Sequence, residues 1–472
     1  MNAKKSRVLF VVPPYYCFRN LTLQPPMATL GILYLAAFAR EHGHDVHVFI
    51  PDINPGIKPA LYLSMDDYTR HWDNYRRCIR GESEHPVWQR ITDVVRQVDP
   101  DVVAISANSP IVDSAFRVAA LIKSIKPQTP IVLGGFHGTF LPEQSLHPAI
   151  DYVIRGEGEL PFIQLLDHLA NEANEPNKKT PLSSVGSVSY RDSRQRVIHN
   201  PPEPFVKDLD SLPFPARDRV ILPEGTSLTT QAILTSRGCP HLCAFCSDRA
   251  FWKKVRWRSV ENVLAEIEDI IEKFPETSEL YFHDGTLTCN RSYAMALCEG
   301  IVNRRFKLGL YCAARFDELD KELLTNMKRA GFRAIYLGAE SGDPDVLASM
   351  NKRITPQQIE SGLELVHEVG LESMVSILVG TPHETEESLQ RTIRLMERIH
   401  PTSFDINSYL PMPGSQYYNE LPSEILDKVN YLDFAFKTPA PFLFVVRGQE
   451  HLLKYVQSIY AISDARFRDI VH

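Results

Sequence analysis

The sequence holds no hydrophobic run long enough to span a bilayer, no Lys/Arg cluster of useful length, and no internal repeat at periods of about 20–50 residues. The first absence argues against an integral membrane segment. The second, with a formal net charge of -7, argues against a nucleic-acid partner, because phosphate binding needs a basic face. Cysteine is scarce, 8 among 472 residues, and three of the eight crowd into positions 239–246. That is not the dispersed pairing of a secreted disulfide framework, and it fits a reducing cytoplasm. The N-terminal MNAKKSRVLFVVPP has basic residues before an apolar run, but the run is too short for a membrane span and lacks a small-residue cleavage site. It reads as a first buried strand.

What is present is the composition of a soluble globular protein, 44% hydrophobic and 23% charged, at a length of two or three domains. Through residue 165 short Val/Ile-rich runs alternate with helical patterns, which predicts a parallel sheet between helical layers, a Rossmann-like doubly wound domain. The expected strands are Arg7–Val12, Asp45–Ile50, Val102–Ser106, Ile131–Gly134 and Tyr152–Arg155; the expected helices include Leu30–His42, stopped by Gly43, and Ser114–Ile125. The insertion from Pro55 to Pro86 reads as irregular or helical. Residues 166–227 read as a linker, Pro-rich towards its end, with a small hairpin at Ser187–Tyr190 and Val197–His199.

A second alternating series occupies residues 228–415, with expected strands Ala232–Ser236, Glu279–His283, Leu308–Ala313, Ala334–Gly338, Val375–Val379 and Phe404–Tyr409. Ser259 caps one intervening helix, and Thr355 followed by Pro356 opens another that stops at Gly370. Six such units predict a (β/α)6-type partial TIM barrel with its chemistry at the strand C-termini. Residues 416–472 read as a small helical cap over the barrel mouth that restricts the substrate.

After the first barrel strand comes TSRGCPHLCAFCSD, in which Cys239, Cys243 and Cys246 stand at C-x3-C-x2-C spacing. Three soft thiolates on one loop converge on an iron–sulfur cluster, and a missing fourth ligand leaves one iron open to coordinate a substrate or cofactor. The plainer alternatives are a zinc site completed by His241 and a loop of free thiols. Cys289, Cys298 and Cys312 read as core or strand residues.

The three-cysteine loop resembles that of the radical SAM superfamily, and Phe245 matches its aromatic before the third ligand. The resemblance implies a [4Fe–4S] cluster whose open iron chelates S-adenosylmethionine, and reductive cleavage to methionine and a 5′-deoxyadenosyl radical. It implies further cofactor contacts at strand ends. Asp284 in YFHDGTLT, preferred to His283, would meet the cofactor ammonium, and Arg315 in AARFDEL the cofactor carboxylate or substrate, its plainer reading being a surface salt bridge. Gly338, Glu340 and Ser341 in YLGAESGDPDVLASMNK would lie near the cofactor, followed by Leu347, Met350 and Lys352. Gly380 in LVGTPHET would serve the adenine turn, and Tyr409, Met412 and Gly414 would flank substrate.

The N-terminal domain is similar to the cobalamin-binding domain of one large branch of that superfamily, on QPPMATLGILYLAAFAREHGHDVHVF, GGFHGTFLPE and RGEGELPF. The candidate contacts are Ser106, Asn108 and Ser109 after the third strand and Gly134, Gly135, His137 and Thr139 after the fourth, where open α/β sheets bind ligands. The D-x-H-x-x-G signature that supplies a cobalt-ligating histidine elsewhere is absent. The branch implies a cobalamin-dependent methyltransferase acting on an unactivated carbon of a small molecule, with a flavodoxin- or ferredoxin-type reductant. Oxidative cyclisation, ring contraction or another rearrangement without net methylation is the alternative within the enzymes, and a non-catalytic cluster or cobalamin sensor the alternative outside them.

Overall fold

The structure is a computed structural model that describes residues 5–15, 30–53, 65–174, 181–223, 228–433 and 436–471. Two compact units divide it, Met1–Ala60 with His71–Ser227, and Leu61–Arg70 with Leu228–His472. No described helix is long and apolar enough to cross a membrane.

The first unit is built on a sheet whose five central parallel strands are Arg7–Val11, Asp45–Phe49, Val102–Ser106, Ile131–Gly134 and Tyr152–Ile154. Side by side they run in chain order 5-4-3-1-2. They form from continuous apolar runs because helices cover both sheet faces, and Val8, Leu9, Phe10 and Val11 are all fully buried. The progression of strands reverses between Arg7–Val11 and Val102–Ser106, which pair directly, and at such a switch point open α/β sheets bind ligands beyond the strand C-termini. The insertion is helical over Met65–Arg80, while the QPPMAT segment and residues 54–64 lie outside the described residues. The segment expected to be a linker supplies both edges of the sheet. Its hairpin, Val188–Arg191 and Val197–His199, adds antiparallel to Tyr152–Ile154, and Val220–Ile221 adds parallel to Asp45–Phe49. Dense proline prevents helices there but leaves short extended pieces able to pair at a sheet edge.

The second unit has six parallel strands in sequential order, Thr230–Ile233, Glu279–Phe282, Gly309–Ala314, Phe332–Glu340, Glu372–Val379 and Ser403–Ser408. Helices join them. Ser259 caps Val260–Lys273 by accepting from the Asn262 amide, and Thr355 with Gln358 forms a capping box on Pro356–Val369, each cap contributing about 1 kcal/mol. The C-terminal segment has two described parts. Its long helix, Leu453–Val471, lies along the last strand and the helix Glu386–Arg398, burying Val456, Ile459 and Tyr460. An amphipathic helix with that apolar stripe is drawn to the flank of the last β/α unit. The preceding stretch reaches the strand ends, where Ser408 Oγ donates to the Thr438 carbonyl at 2.7 Å.

Candidate functional site

The three-cysteine loop is an excursion between two short strands, Ser236–Arg237 and Arg256–Trp257, which pair antiparallel and tie its base. Gly238 opens it with φ +100, and a Cβ there would lie 2.8 Å from the Lys254 carbonyl oxygen, so only glycine fits. The loop is held at its centre as well. The Ala244 amide donates to the Met350 carbonyl at 2.8 Å, and Asn351 Nδ2 donates to the Leu242 carbonyl at 2.9 Å. Cys239 and Cys243 are half-buried, Cys246 is exposed, and none of the three is in a disulfide. Burial pushes the Cys239 thiol up to about 11, so it is coordination to a metal centre that would make it a thiolate at neutral pH. His241 is turned to Glu318, with Nε2 to Oε1 at 2.6 Å, which separates it from a ligand role in a zinc site. The donor set is therefore three soft thiols, the set an iron–sulfur cluster with one open iron takes.

The strand ends bring the other expected residues to this loop in different ways. Asp284 is buried, and its Oδ1 accepts from the Ser236 amide and hydroxyl at 2.7 Å each and from the Thr235 hydroxyl at 2.9 Å. Its carboxylate thus fixes the point where the first strand turns into the cysteine loop. His283 beside it is exposed. Arg315 is buried rather than a surface salt bridge. It is held by Asp317 through two bonds of 3.0 and 3.1 Å, and its Nη1 lies 3.7 Å from Cys243 Sγ. Glu340, at φ +69 beside a register shift in the sheet, accepts from Lys352 Nζ at 2.9 Å and from Ser376 Oγ at 3.2 Å. Backbone strain of this kind collects at functional sites.

Ser341 exchanges a hydrogen bond with Thr392 Oγ1 at 3.1 Å and accepts from the Asp343 amide. The Gly380 and Thr381 amides both donate to Glu384, whose carboxyl burial pushes up to about 8, and a Cβ on Gly380 would strike Pro441. Phe245 packs against an apolar cluster that contains Met350, Tyr409 and Tyr417. Leu347 is buried in the main barrel core, and Met412 packs on the Phe245 cluster. Sequence reasoning named Lys352 without its role as the partner of Glu340 and missed Asp317, Ser376 and Glu384 altogether. The x-D-E after Arg315 was the one available signal for Asp317. Cys298 and Cys312 are core residues, as expected, whereas Cys289 is half-buried in the turn that follows Asp284.

In the first unit the expected residues gather at the switch point. Ser106 ends its strand, Asn108 is exposed beyond it, and Ser109 Oγ meets His137 Nδ1 at 3.0 Å, both side chains buried. Thr139 Oγ1 donates to the Gly135 carbonyl at 2.8 Å and accepts from the Gly156 amide at 2.9 Å, linking the fourth and fifth strand ends. Gly134 is half-buried, and the nearest atom to a Cβ placed on it, the Ile154 carbonyl oxygen, is 4.0 Å away, so backbone is accessible there without a close neighbour. The residues therefore suit a corrin at a switch-point crevice.

Two measurements follow from this geometry. Gly135 has φ +100, and a Cβ on it would lie 2.6 Å from the Ala107 carbonyl oxygen, so Gly135→Ala is expected to lower stability by about 2–3 kcal/mol in thermal unfolding. Cobalamin retention is expected to fall with it. His137 is lowered by burial from 6.5 to about 4, so between those values the unfolded chain binds more protons than the folded one. Its contribution is complete above pH 6.5 and is lost as pH falls through the window, up to about 3 kcal/mol. Urea unfolding of the His137→Gln variant should show a flatter acid limb than the parent.

A doubly wound domain with a small-residue switch point, followed by sequential βα units with a three-thiol loop at their strand ends, defines a class: an enzyme carrying an iron–sulfur cluster and a second bound cofactor. Comparison with known proteins sharpens the class. The family model described as "Radical SAM superfamily" matches residues 233–396, and that described as "B12 binding domain" matches 17–166. The chain thus carries a B12 binding domain followed by a radical SAM domain. Its cofactors are accordingly a [4Fe–4S] cluster, S-adenosylmethionine and cobalamin, and its substrates are small molecules. An uncharacterized methyltransferase of Pyrococcus horikoshii, PH0819, is 29% identical over 88% of this chain and 83% of its own. The anaerobic magnesium-protoporphyrin IX monomethyl ester cyclase of Rubrivivax gelatinosus is 28% identical over 92% of this chain and 73% of its own. The solved structure of the methyltransferase TsrM from Kitasatospora setae, with cobalamin and a [4Fe–4S] cluster bound, superimposes with a TM-score of 0.65 at 17% identity, covering 89% of this chain and 75% of that one, which shows a shared fold.

Proposed function

We propose that this enzyme transfers a methyl group to an unactivated carbon of a small molecule. The observation that carries the reading is the presence in one chain of both the three-thiol loop and a B12 binding domain. When bound, the cluster with S-adenosylmethionine supplies a carbon-centred radical and cobalamin supplies the methyl group. This division answers a polarity problem, since an unactivated carbon is not nucleophilic enough to attack a sulfonium.

On this reading Cys239, Cys243 and Cys246 hold the cluster, and Phe245, Glu340, Ser341 and Gly380 line the S-adenosylmethionine site. Asp284 acts at the base of the loop and Arg315 beside Cys243 in its middle, and Ser106, Asn108, Ser109, Gly134, Gly135, His137 and Thr139 surround cobalamin. The working division of the chain is 1–165 for cobalamin, 166–227 as connection, 228–415 for the radical chemistry and 416–472 as C-terminal cover. A flavodoxin- or ferredoxin-type protein in the cytoplasm supplies the electron.

The test is anaerobic purification, cluster reconstitution, addition of hydroxocobalamin, and ultraviolet–visible and paramagnetic resonance spectra with and without S-adenosylmethionine. Retained cobalamin at one per chain, with a cluster signal that responds to S-adenosylmethionine, supports methyl transfer. A responsive cluster without retained cobalamin sinks it and promotes cyclisation or rearrangement, the reading that the resemblance to the Rubrivivax gelatinosus cyclase favours.

A further inference from the structure

We infer that Arg315 sets the reduction potential of the cluster through a hydrogen bond to the Cys243 sulfur. The inference rests on the radical SAM reading and adds to it a tuning residue. Arg315 follows the strand Gly309–Ala314 and is buried, with Nη1 3.7 Å from Cys243 Sγ. Every other bond it makes fixes its orientation. Asp317 takes Nε at 3.0 Å and Nη2 at 3.1 Å, and Nη2 also donates to the Lys352 carbonyl.

The Lys352 carbonyl belongs to the same short stretch that holds the cysteine loop, since the Met350 carbonyl accepts from Ala244 and Asn351 Nδ2 donates to the Leu242 carbonyl. Guanidinium and thiolate are therefore clamped to one piece of backbone and keep their separation. Only the planar fork of arginine reaches a carboxylate, a carbonyl and a sulfur at once; lysine has no such geometry.

The electrostatic consequence follows from charge. Accepting one electron makes the cluster more negative by one unit, and a fixed cation with an N–H aimed at a ligand sulfur stabilises the reduced form. Asp317, beside the guanidinium and a quarter exposed, partly offsets that effect. The two residues thus pull the potential in opposite directions, and a purely structural role for either gives no such opposition.

The experiment is a redox titration of the reconstituted holoenzyme, followed by paramagnetic resonance in the absence of S-adenosylmethionine, with iron and sulfide content measured in parallel. Arg315→Gln is expected to lower the reduced-to-oxidised ratio about tenfold at fixed solution potential, a shift of about 59 mV for one electron. Asp317→Asn is expected to raise that ratio. Should Arg315→Gln fail to retain its cluster, Asp317→Asn decides alone, and an unchanged potential there overturns the inference. It is equally overturned if Arg315→Gln keeps the parent potential and only weakens S-adenosylmethionine binding, which would make Arg315 a cofactor ligand. Absence of a cluster from the parent protein itself would instead sink the radical SAM reading beneath it.

Discussion

Replacement of any one of Cys239, Cys243 and Cys246 by Ala is expected to reduce cleavage of S-adenosylmethionine to 5′-deoxyadenosine by about 1000-fold or more, with loss of bound iron. With no fourth cysteine on the loop, two thiols cannot hold three irons of a cluster while leaving the last one open. The informative contrast lies in the other cysteines. Cys298 and Cys312 sit in the barrel core, and burial pushes the Cys298 thiol up to about 12, so both are inert; their Ala variants should keep full iron content and lose only about 1–2 kcal/mol of stability. Cys289 is the sharper control. It lies in the turn after Asp284, its thiol is also pushed up to about 12 by burial and by nearby acidic groups, and Cys289→Ala should retain the cluster. Loss of iron from that variant would mean a four-thiol cluster with no open iron, and the radical chemistry would fall with it.

The strands were legible because parallel strands covered on both faces need apolar residues at every position, so Val102–Ser106 and Ile131–Gly134 could be bounded from residue type alone. The strand Phe332–Glu340 outran its expected limits for a physical reason. Beyond the compact apolar core Ala334–Gly338 it carries a register shift between Gly338 and Glu340, and polar Glu340 completes it only because Lys352 pairs with it across the site. The helix Met65–Arg80 was legible only as one of two readings, irregular or helical. Its sequence, MDDYTRHWDNYRRCIR, is mostly polar, and among its described side chains Trp72, Tyr75 and Cys78 form the buried stripe.

Within the site, what the sequence carried was local. Three thiols within eight positions announce a metal centre because ligands must converge, and glycine-rich strand ends announce close backbone approach. Contacts made at a distance along the chain left no trace: Arg315 meets Cys243 across 72 positions, and Asp284 meets Ser236 across 48. Type and position suggested cofactor contacts for both residues, and the geometry adds bonds from their polar atoms to the three-cysteine loop and the strand end before it. A charged residue at a barrel strand end has two possible customers, the ligand and the ligand's support, and only distances separate them.

The second large effect concerns that support. Glu340 and Lys352 form an ion pair at 2.9 Å with side chains only 9% and 6% exposed, so Lys352→Met should cost about 3–5 kcal/mol by leaving a carboxylate buried without its cation. Ser376 Oγ still donates to Glu340, but one neutral hydroxyl does not replace an ammonium. The double variant Lys352→Met with Glu340→Gln removes both charges, and the strand end should recover most of that loss in urea unfolding. Gly338→Ala tests the same pair from the other side without touching either charge. A Cβ on Gly338 would stand 2.3 Å from Glu340 Oε1 and 2.5 Å from Lys352 Nζ, so the methyl group must drive the partners apart. If Gly338→Ala is destabilising in the parent and close to neutral in the double variant, the pair is what the glycine protects. Equal destabilisation in both would assign the glycine to backbone geometry at the register shift, and Glu340 would then owe its left-handed conformation to the strand rather than to its partner.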